Sequence, residues 1–200
     1  RWSCLGALTG PFCGSMSIHF DFEGRVVLIT GGARGIGFSL SRFFAGAGAT
    51  VAVLDSDSRA LADAAGELER AIPLQVDVAD ANAVKAGVDD VMKRVKRVDV
   101  VINNAGILRD VIFHKMTEDD WDSVISVHLK GSFNVSRAAA SVFREKESGA
   151  FIHMTSTSGL VGNFGQANYA AAKLGIAGLS KSIALDMGRF NVRSNCISPF

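Results

Sequence analysis

A serine, a tyrosine and a lysine that lie close together in this sequence are its side chains best suited to acid–base chemistry. They are Ser156, Tyr169 and Lys173, and the lysine follows the tyrosine by four positions. Residues four apart in a helix project from the same face, so the Lys173 ammonium can lie beside the Tyr169 phenol and favour its phenolate form. A phenol in that setting can act as an acid or a base near neutral pH.

A glycine-rich turn near the start of the chain has the form expected around a phosphate group. The run Thr30-Gly31-Gly32-Ala33-Arg34-Gly35-Ile36-Gly37 follows a β-branched apolar segment and opens a helical pattern. Glycines let such a turn approach a pyrophosphate closely, and the amides at the helix N-terminus meet its charge. A glycine cluster alone is weak evidence, but this position between strand and helix predicts dinucleotide binding by Thr30, Gly31, Arg34, Gly35, Ile36 and Gly37.

Asp55 follows the next apolar segment and predicts how the adenosine end of the dinucleotide would be held. An acidic residue about twenty positions after the glycines can accept hydrogen bonds from the ribose hydroxyls and repel a 2′-phosphate. This favours NAD over NADP as the cofactor, although Arg34 or Arg59 could pair with a 2′-phosphate. The alternative role for Asp55 is that of a turn residue at the end of a strand.

Two further turns complete the predicted cofactor site. Asp77 and Val78 follow the third strand, and we expect them at the edge of the adenine pocket, with a helix cap as the alternative role for Asp77. Asn104, Ala105 and Gly106 follow the fourth strand. Ligands of parallel sheets lie beyond the carboxyl ends of the strands, so this turn should line the cofactor. Because Asn and Gly also tolerate left-handed geometry, a plain turn is the alternative.

Short β-branched segments alternate along the chain with longer amphipathic ones. The predicted strands are Val26–Thr30, Thr50–Leu54, Ile72–Val76, Val98–Ile102, Ala150–Met154 and Val192–Ile197, and the predicted helices are Gly35–Ala47, Ser58–Arg70, Ala81–Val95, Glu118 to about Arg144 and Gln166–Met187. Strands that alternate with helices imply a parallel sheet covered on both faces. We therefore expect a doubly wound, Rossmann-type α/β domain over residues 23–200.

The composition excludes several classes of protein. With 200 residues, 48% of them hydrophobic, the chain suits one globular domain. Its formal net charge of +1 gives no field that would favour nucleic acid or an anionic membrane. No apolar run approaches the roughly 20 residues needed to span a bilayer. The three cysteines have neither disulfide nor metal spacing, so we expect no metal site and a reducing, cytoplasmic setting.

The first 22 residues contribute no recognisable element. Their opening is weakly apolar and is interrupted by Gly10-Pro11, which would make a poor signal peptide. We expect residues 1–22 to be a disordered or cloning-derived extension, with a natural start at Met16.

The motifs TGGARGIG and NNAG, with Ser156 and Tyr169-Ala-Ala-Ala-Lys173, resemble the short-chain dehydrogenase/reductase family in order and spacing, from about Gly24 to Pro199. The resemblance implies a domain that binds a nicotinamide dinucleotide and transfers hydride between its ring and a small-molecule carbonyl or alcohol. It implies Tyr169 as the acid/base, Ser156 as a hydrogen-bond donor to the substrate oxygen and Lys173 as a partner of the nicotinamide ribose. Tyr169, Lys173 and Pro199 would also contact the cofactor.

One run departs from the family pattern. The family usually has an asparagine in a Val-Asn-Leu-Lys-Gly-like run, where it completes a proton relay through water, but here the run is Val127-His128-Leu129-Lys130-Gly131. Histidine can carry the relay, and NNAGILRD, VHLKGSF and GNFGQANYAAAKLG are similar to the (3R)-hydroxyacyl-CoA dehydrogenase branch of peroxisomal multifunctional enzymes. A packed polar residue is the alternative role for His128. His19, His114 and His153 are expected to be structural.

The sequence stops soon after the last strand. Family members continue past the Ser198-Pro199 turn into a substrate-covering segment and a seventh strand, and Gly is common where this chain has Phe200. We therefore expect that segment and that strand to be absent from this chain, and the sequence does not identify the substrate.

These patterns favour an NAD-dependent oxidoreductase that acts on a secondary alcohol or ketone, with 3-hydroxyacyl-CoA as the preferred substrate class. The alternatives are a non-catalytic dinucleotide-binding module and a reductase of another carbonyl, such as a steroid or a 3-oxoacyl carrier protein. The family resemblance also suggests a homodimer or homotetramer built on the helices Glu118–Arg144 and Gln166–Met187. Alanines at 138–140 and 170–172 would permit close helix approach, and packing within the subunit is the alternative.

Overall fold

The computed structural model describes residues 20–199 as alternating strands and helices. The strands are β1 (Val26–Thr30), β2 (Thr50–Asp55), β3 (Ala71–Gln75), β4 (Val100–Asn103), β5 (Gly149–Met154) and β6 (Val192–Ile197). The helices are α1 (Gly35–Gly46), α2 (Ser58–Glu67), α3 (Ala81–Val95), α4 (Glu118–Ile125), α5 (Gly131–Lys146), α6 (Thr157–Val161) and α7 (Ala167–Met187). Short 3-10 turns cover Phe113–Lys115 and Gly188–Phe190, and a π-helical turn covers Ser126–Lys130.

All six strands pair in parallel in the order β3-β2-β1-β4-β5-β6. Every residue of the central strand β1 is buried, because helices cover both faces of the sheet. Successive side chains of a strand point to opposite faces, so Leu28 and Ile29 enter different apolar clusters. The doubly wound α/β fold expected from the sequence is confirmed, and the order reverses between β1 and β4, where such sheets bind ligands.

Several predicted element bounds are corrected. The helix predicted from Glu118 to about Arg144 is interrupted by the π-helical turn, and the five-residue helix α6 was not predicted. Helix α2 ends at Glu67 rather than at Arg70. Strand β4 begins at Val100 rather than at Val98, although Asp99 already exchanges backbone hydrogen bonds with the neighbouring strands. Such differences at element ends are ordinary, whereas the π-helical turn bears on the site.

The residues before β1 contact the domain where the structure describes them. Phe20 packs edge-on against Phe43, and Phe22 packs against Phe44, with centroid separations of 5.7 and 4.9 Å. Both Phe20 and Phe22 belong to the segment predicted to be an extension. Residues 1–19 of that segment, including Met16 and His19, lie outside the described residues, as does Phe200.

Among residues 20–199, no helix is both long and apolar enough to cross a membrane. Within that same range, no group of three or more His, Cys, Asp or Glu side chains is placed to hold a metal ion.

Candidate active site

Two clefts meet at the carboxyl edge of the sheet. The first has a volume of about 510 Å³ and the second about 540 Å³. Asn104, Gly106, Ile107 and Ile36 line both clefts, so the two spaces adjoin at the turn after β4. An elongated ligand that reaches from one cleft into the other would therefore pass over this turn.

The first cleft gathers most of the predicted cofactor residues. Its lining includes Gly31, Arg34, Gly35, Ile36, Gly37, Asp55, Asp77, Val78, Asn104, Ala105 and Gly106, together with Leu54, Ser56, Val76, Ile107 and Val127, which the sequence did not indicate. Apart from Val127, which belongs to the π-helical turn, these residues lie at or soon after the carboxyl ends of four different strands. The parallel sheet brings them together because all its strands end at this edge.

Two glycines of the glycine-rich turn, Gly31 and Gly37, have no room for a side chain. A Cβ added at Gly37 would lie 2.0 Å from the carbonyl oxygen of Gly31. Gly31 itself has φ of +59°, and a Cβ there would lie 2.9 Å from the Cα of Ala105. Gly31, Gly35 and Gly37 also line the first cleft at the N-terminal end of α1, and this glycine-lined cradle fits the pyrophosphate of a dinucleotide.

Thr30 was predicted to contact the cofactor directly, but it lines neither cleft. Its side chain is buried, and its hydroxyl oxygen accepts hydrogen bonds from the backbone N–H groups of Asn104 and Ala105, each at 3.0 Å. The Asn104 side chain in turn donates to the carbonyl of Thr30 at 3.0 Å. Thr30 thus ties the turn after β4 to the glycine-rich turn, and its effect on a cofactor would be indirect.

The carboxylate of Asp55 is held at the end of β2 by backbone donors. The N–H of Ala33 donates to its Oδ2 at 3.3 Å, and the N–H of Asp57 donates to its Oδ1 at 3.1 Å. The guanidinium of Arg34 pairs with Asp57 rather than with Asp55. A fixed carboxylate therefore lies in the part of the first cleft where the sequence predicts the adenosine end of the dinucleotide.

Asp77 and Val78 also line the first cleft. The Oδ1 of Asp77 accepts from the N–H of Ala79 at 2.9 Å, while Asp80, not Asp77, caps α3. The carbonyl of Val78 accepts from the buried Asn134 side chain at 2.9 Å, which fixes this turn against α5. The helix-cap alternative for Asp77 is therefore wrong.

The second cleft gathers the predicted catalytic side chains. Ser156, Tyr169, Lys173 and His128 line it, together with Ile36, Asn104, Gly106, Ile107, Leu108, Met154, Thr155 and Pro199. Ser156 is the N-cap of α6, and its hydroxyl oxygen accepts from the N–H of Ser158 at 3.2 Å. Because the oxygen is the acceptor there, the hydroxyl proton remains free to be donated into the cleft.

Lys173 is a buried cation beside the tyrosine. Its Nζ lies 5.4 Å from the centre of the Tyr169 ring and donates to the carbonyl of Met154 at 2.7 Å. Only 4% of the residue is exposed, and this burial lowers the pKa of Lys173 to about 8. The end of β5 and the helix α7 therefore fix the ammonium between them, close to the phenol.

His128 lies in the π-helical turn with its ring against Gly106 and Tyr169. A Cβ at Gly106 would lie 2.3 Å from the imidazole, so only glycine leaves room for the ring. The Nε2 atom lies 2.7 Å from the carbonyl oxygen and 3.0 Å from the nitrogen of Ile107. Burial, followed by the nearby Lys173 charge, lowers the pKa of His128 to about 4, so the ring is neutral at pH 7.

Sequence reasoning missed several residues that shape the second cleft. Ile107 and Leu108 form an apolar wall, and the carbonyl of Met154 anchors Lys173. Asn168 is fully buried directly before Tyr169 and bonds to two other segments of the chain. The sequence signals available were an apolar residue, Ile107, directly after NNAG and an amide, Asn168, directly before Tyr169. The partners of Asn168 are far away in sequence, so its role could not be predicted from them.

The fold is a parallel sheet with a glycine-lined cleft, and Tyr169 and Lys173 line the adjoining cleft. These features define a Rossmann-type oxidoreductase. The family model for short chain dehydrogenases matches residues 25–200, and the chain therefore belongs to that family. Membership implies a nicotinamide cofactor, and the cradle and the two adjoining clefts fit one.

Similar proteins include both long and short family members. The chain is 44% identical over 184 residues to the peroxisomal hydratase-dehydrogenase-epimerase of Neurospora crassa, covering 90% of this chain and 20% of that protein. It is 40% identical over 194 residues to the peroxisomal multifunctional enzyme type 2 of Mus musculus, and the match covers 92% of this chain and 26% of that protein. It is 39% identical over 181 residues to the 3-oxoacyl-[acyl-carrier-protein] reductase FabG of Thermotoga maritima, covering 88% and 74%.

Proposed function

We propose that this chain is an NAD-dependent dehydrogenase unit for 3-hydroxyacyl thioesters, with 3-hydroxyacyl-CoA as the preferred substrate class. The observation that carries the proposal is the arrangement in the second cleft, where Ser156, Tyr169 and Lys173 line one space beside the glycine-lined cradle. The similarity to hydratase-dehydrogenase-epimerase and multifunctional enzymes supports the thioester class. The run Val127–Gly131, with its histidine, supports the same branch.

In the oxidative direction, the Tyr169 phenolate would accept the proton of the substrate hydroxyl, while a hydride leaves the carbon that bears this hydroxyl. The nicotinamide ring, when bound, supplies the acceptor for that hydride. The Ser156 hydroxyl would hold the substrate oxygen by donating to it, and Lys173 would favour the phenolate through its positive charge. In the reverse direction, Tyr169 would return the proton to the oxygen of the ketone.

For His128 we propose a role in delivering protons to this centre. Nε2 lies 2.7 Å from the carbonyl oxygen of Ile107 and 3.0 Å from its backbone N–H, and a neutral ring can satisfy only one of these two contacts. We take the shorter contact as the hydrogen bond, which places the imidazole hydrogen on Nε2. Nδ1 is then a lone-pair acceptor, and it is buried without a hydrogen-bond partner among the described residues. A water molecule that donates to Nδ1 would link the ring to the cleft, which supports a relay rather than a purely packed side chain.

The contacts at the adenosine end support NAD as the cofactor. The Asp55 carboxylate is fixed by two backbone donors and would repel a 2′-phosphate. Arg34, the nearer candidate for binding such a phosphate, is already paired with Asp57. Arg59 is exposed on α2 and remains the residue that could favour NADP.

The second candidate function is reduction of a 3-oxoacyl carrier protein thioester. It is favoured by the 39% identity to the FabG protein of Thermotoga maritima, of which the chain covers 74%. The two substrates differ in their carrier, so rates with matched acyl-CoA and acyl-carrier-protein substrates separate them.

The decisive experiment follows cofactor absorbance with each combination of NAD(H) or NADP(H) and the matched thioesters. The proposal expects the highest kcat/KM with the acyl-CoA and NAD(H). Preference for the acyl carrier protein would establish the second candidate. Binding of NADH without turnover of any thioester, steroid or simple ketone would instead favour the non-catalytic module.

We also propose a homodimer or homotetramer that uses the outer faces of α5 and α7. Ala139 and Ala172 are fully buried within the subunit, so part of each alanine-rich face packs internally. Phe133 and Leu185 remain 50% and 85% exposed on the same two helices. An apolar cavity of about 240 Å³ between these helices includes Phe133, which supports a contact surface there.

For the location of the protein we retain the prediction of a reducing cytoplasmic setting. The names of two relatives carry the word peroxisomal, and the peroxisome is therefore the alternative. Cell fractionation with an antibody against the native protein distinguishes the two compartments.

A further inference from the structure

Asn168 joins three segments of the chain around the second cleft. Its Nδ2 donates to the carbonyl of Arg109 at 3.0 Å and to the carbonyl of Asp120 at 2.8 Å. Its Oδ1 accepts from the backbone N–H of Tyr169 at 2.7 Å. The residue is fully buried, so each of these bonds is shielded from water.

The orientation of this amide is fixed by its partners. Two carbonyl oxygens require a donor, and the N–H of Tyr169 requires an acceptor, so the reversed orientation would leave all three groups unmatched. The helix α7 has no side-chain hydrogen bond from its N-cap residue, Gln166. Asn168 therefore satisfies one of the free N–H groups of the first turn, and that group belongs to Tyr169.

The segment held by Asn168 carries the apolar wall of the cleft. Arg109 directly follows Ile107 and Leu108, which line the second cleft and are 36% and 62% exposed. The N–H of Val111 donates to the carbonyl of Gly165 at 2.8 Å, which gives the same segment a second tie to the start of α7. The N–H of Ile107 also approaches His128, and the His128 ring contacts the Tyr169 ring. The wall, His128 and Tyr169 are therefore connected by contacts around the second cleft.

We propose that Asn168 is a positioning residue that sets the separation between the wall Ile107–Leu108 and the Tyr169 hydroxyl, and so selects how the substrate carbon lies against Tyr169. This inference rests on the proposed function for its effect on turnover, and on the hydrogen bonds alone for its effect on the wall. Asn168 bonds to Arg109, Asp120 and Tyr169, and none of these three residues lines the first cleft. Cofactor binding should therefore depend on Asn168 far less than turnover does.

The test compares Asn168→Ala and Asn168→Asp with wild type, and uses Asn82→Ala as the matched control because Asn82 is exposed on α3. The Asp variant keeps the shape and the acceptor for Tyr169 but offers no donor to the two carbonyls unless it is protonated. We expect kcat/KM for the thioester to fall by roughly 10²-fold in both variants, with a much smaller change in the Kd for NADH. Amide hydrogen exchange at Val111 should rise about tenfold in both, and at Tyr169 only in the Ala variant.

The exchange measurement needs no substrate, so it judges the wall even where wild type turns over no thioester and the proposed function fails. Exchange at Val111 that matches wild type in both variants would overturn the inference. So would a loss of NADH affinity as large as the loss of turnover, because that pattern means general damage rather than mispositioning. If Asn168→Ala does not fold, Asn168→Asp decides by the same two readouts.

Discussion

The imidazole of His128 meets the phenol ring of Tyr169 edge to face, with 5.2 Å between the ring centroids and 88° between the ring planes. The two residues come from different helical elements, the π-helical turn and α7. Both rings line the second cleft. Because they are in contact, a substitution at either residue should change the position of the other ring.

Replacing Tyr169 by Phe should abolish turnover and leave cofactor binding intact. The phenyl ring keeps the contact with His128 but has no proton to exchange with the substrate oxygen. We expect kcat to fall by at least about 10³-fold. Turnover is followed by cofactor absorbance and binding by NADH fluorescence, and a variant that retains a tenth of wild-type kcat would show that Tyr169 is not the acid/base.

His128→Ala and His128→Asn separate a relay from a packed ring. Both lose ring contacts, but Asn retains a polar side chain that can bond to Ile107 or to water. We expect kcat to fall about 10²-fold in the Ala variant and less than tenfold in the Asn variant. Equal losses in both would support the packing role, and steady-state kinetics at saturating NAD provides the comparison.

Asp55→Asn should shift cofactor preference toward NADP. The change removes the negative charge that would face a 2′-phosphate but keeps one oxygen acceptor for the backbone. Removing a repulsion of about 1.4 kcal/mol would strengthen NADPH binding roughly tenfold relative to NADH. Asp63→Asn changes the same charge at an exposed position of α2 and should leave the ratio of the two Kd values unchanged.

Two buried histidines should make the protein less stable in mild acid. Burial lowers the pKa of both His128 and His153 to about 4, whereas an unfolded histidine titrates near 6.5. Between these values the unfolded chain binds more protons than the folded one, so the free energy of unfolding falls as the pH falls. Each histidine contributes a slope of up to about 1.4 kcal/mol per pH unit.

Urea unfolding at a series of pH values from about 5 to 7 measures that slope. His153→Asn should reduce it markedly, whatever the change in absolute stability. His114→Asn is the matched control because His114 is exposed, and it should retain the wild-type slope. A wild-type slope in His153→Asn would contradict the assignment.

Charge placed on the outer face of α5 and α7 should dissociate the proposed oligomer. Phe133→Lys combined with Leu185→Lys would bury two unpaired charges in any contact through that face. We expect the mass measured by light scattering to fall to that of one chain. Val161→Lys, at a residue 85% exposed on α6, should keep the wild-type mass. A wild-type mass of a single chain would already refute the proposed assembly.

The sequence allowed the sheet and most of the first cleft to be predicted, because strand-to-turn boundaries and glycine spacing are local signals. Gly31, Asp55 and Asn104 lie at strand ends, and a parallel sheet gathers its strand ends at one edge. The role of Thr30 was not predictable in the same way, since its hydroxyl turns inward to residues more than seventy positions away. The contacts of Asn168 are likewise nonlocal.

The π-helical turn was also beyond local reading. An apolar periodicity of 3.6 residues runs through α4 and α5 with only a small offset, so the two elements look like one helix. What breaks the pattern is the widened turn at Ser126–Lys130, which holds His128 against Gly106. Nothing in the composition of those five residues distinguishes it from an ordinary helical turn.

The position of His128 in that widened turn depends on the number of residues between α4 and α5. A π-helical turn takes up about one residue more than an α-helical turn, so removing one residue from Ser126–Lys130 would restore an unbroken α-helix with α4 and α5 still in phase. The side chains within the turn would change direction, by up to about 100° for a shift of one residue. The imidazole would then swing off the phenol. A single-codon deletion at this point should therefore be far more harmful than many substitutions on the same surface.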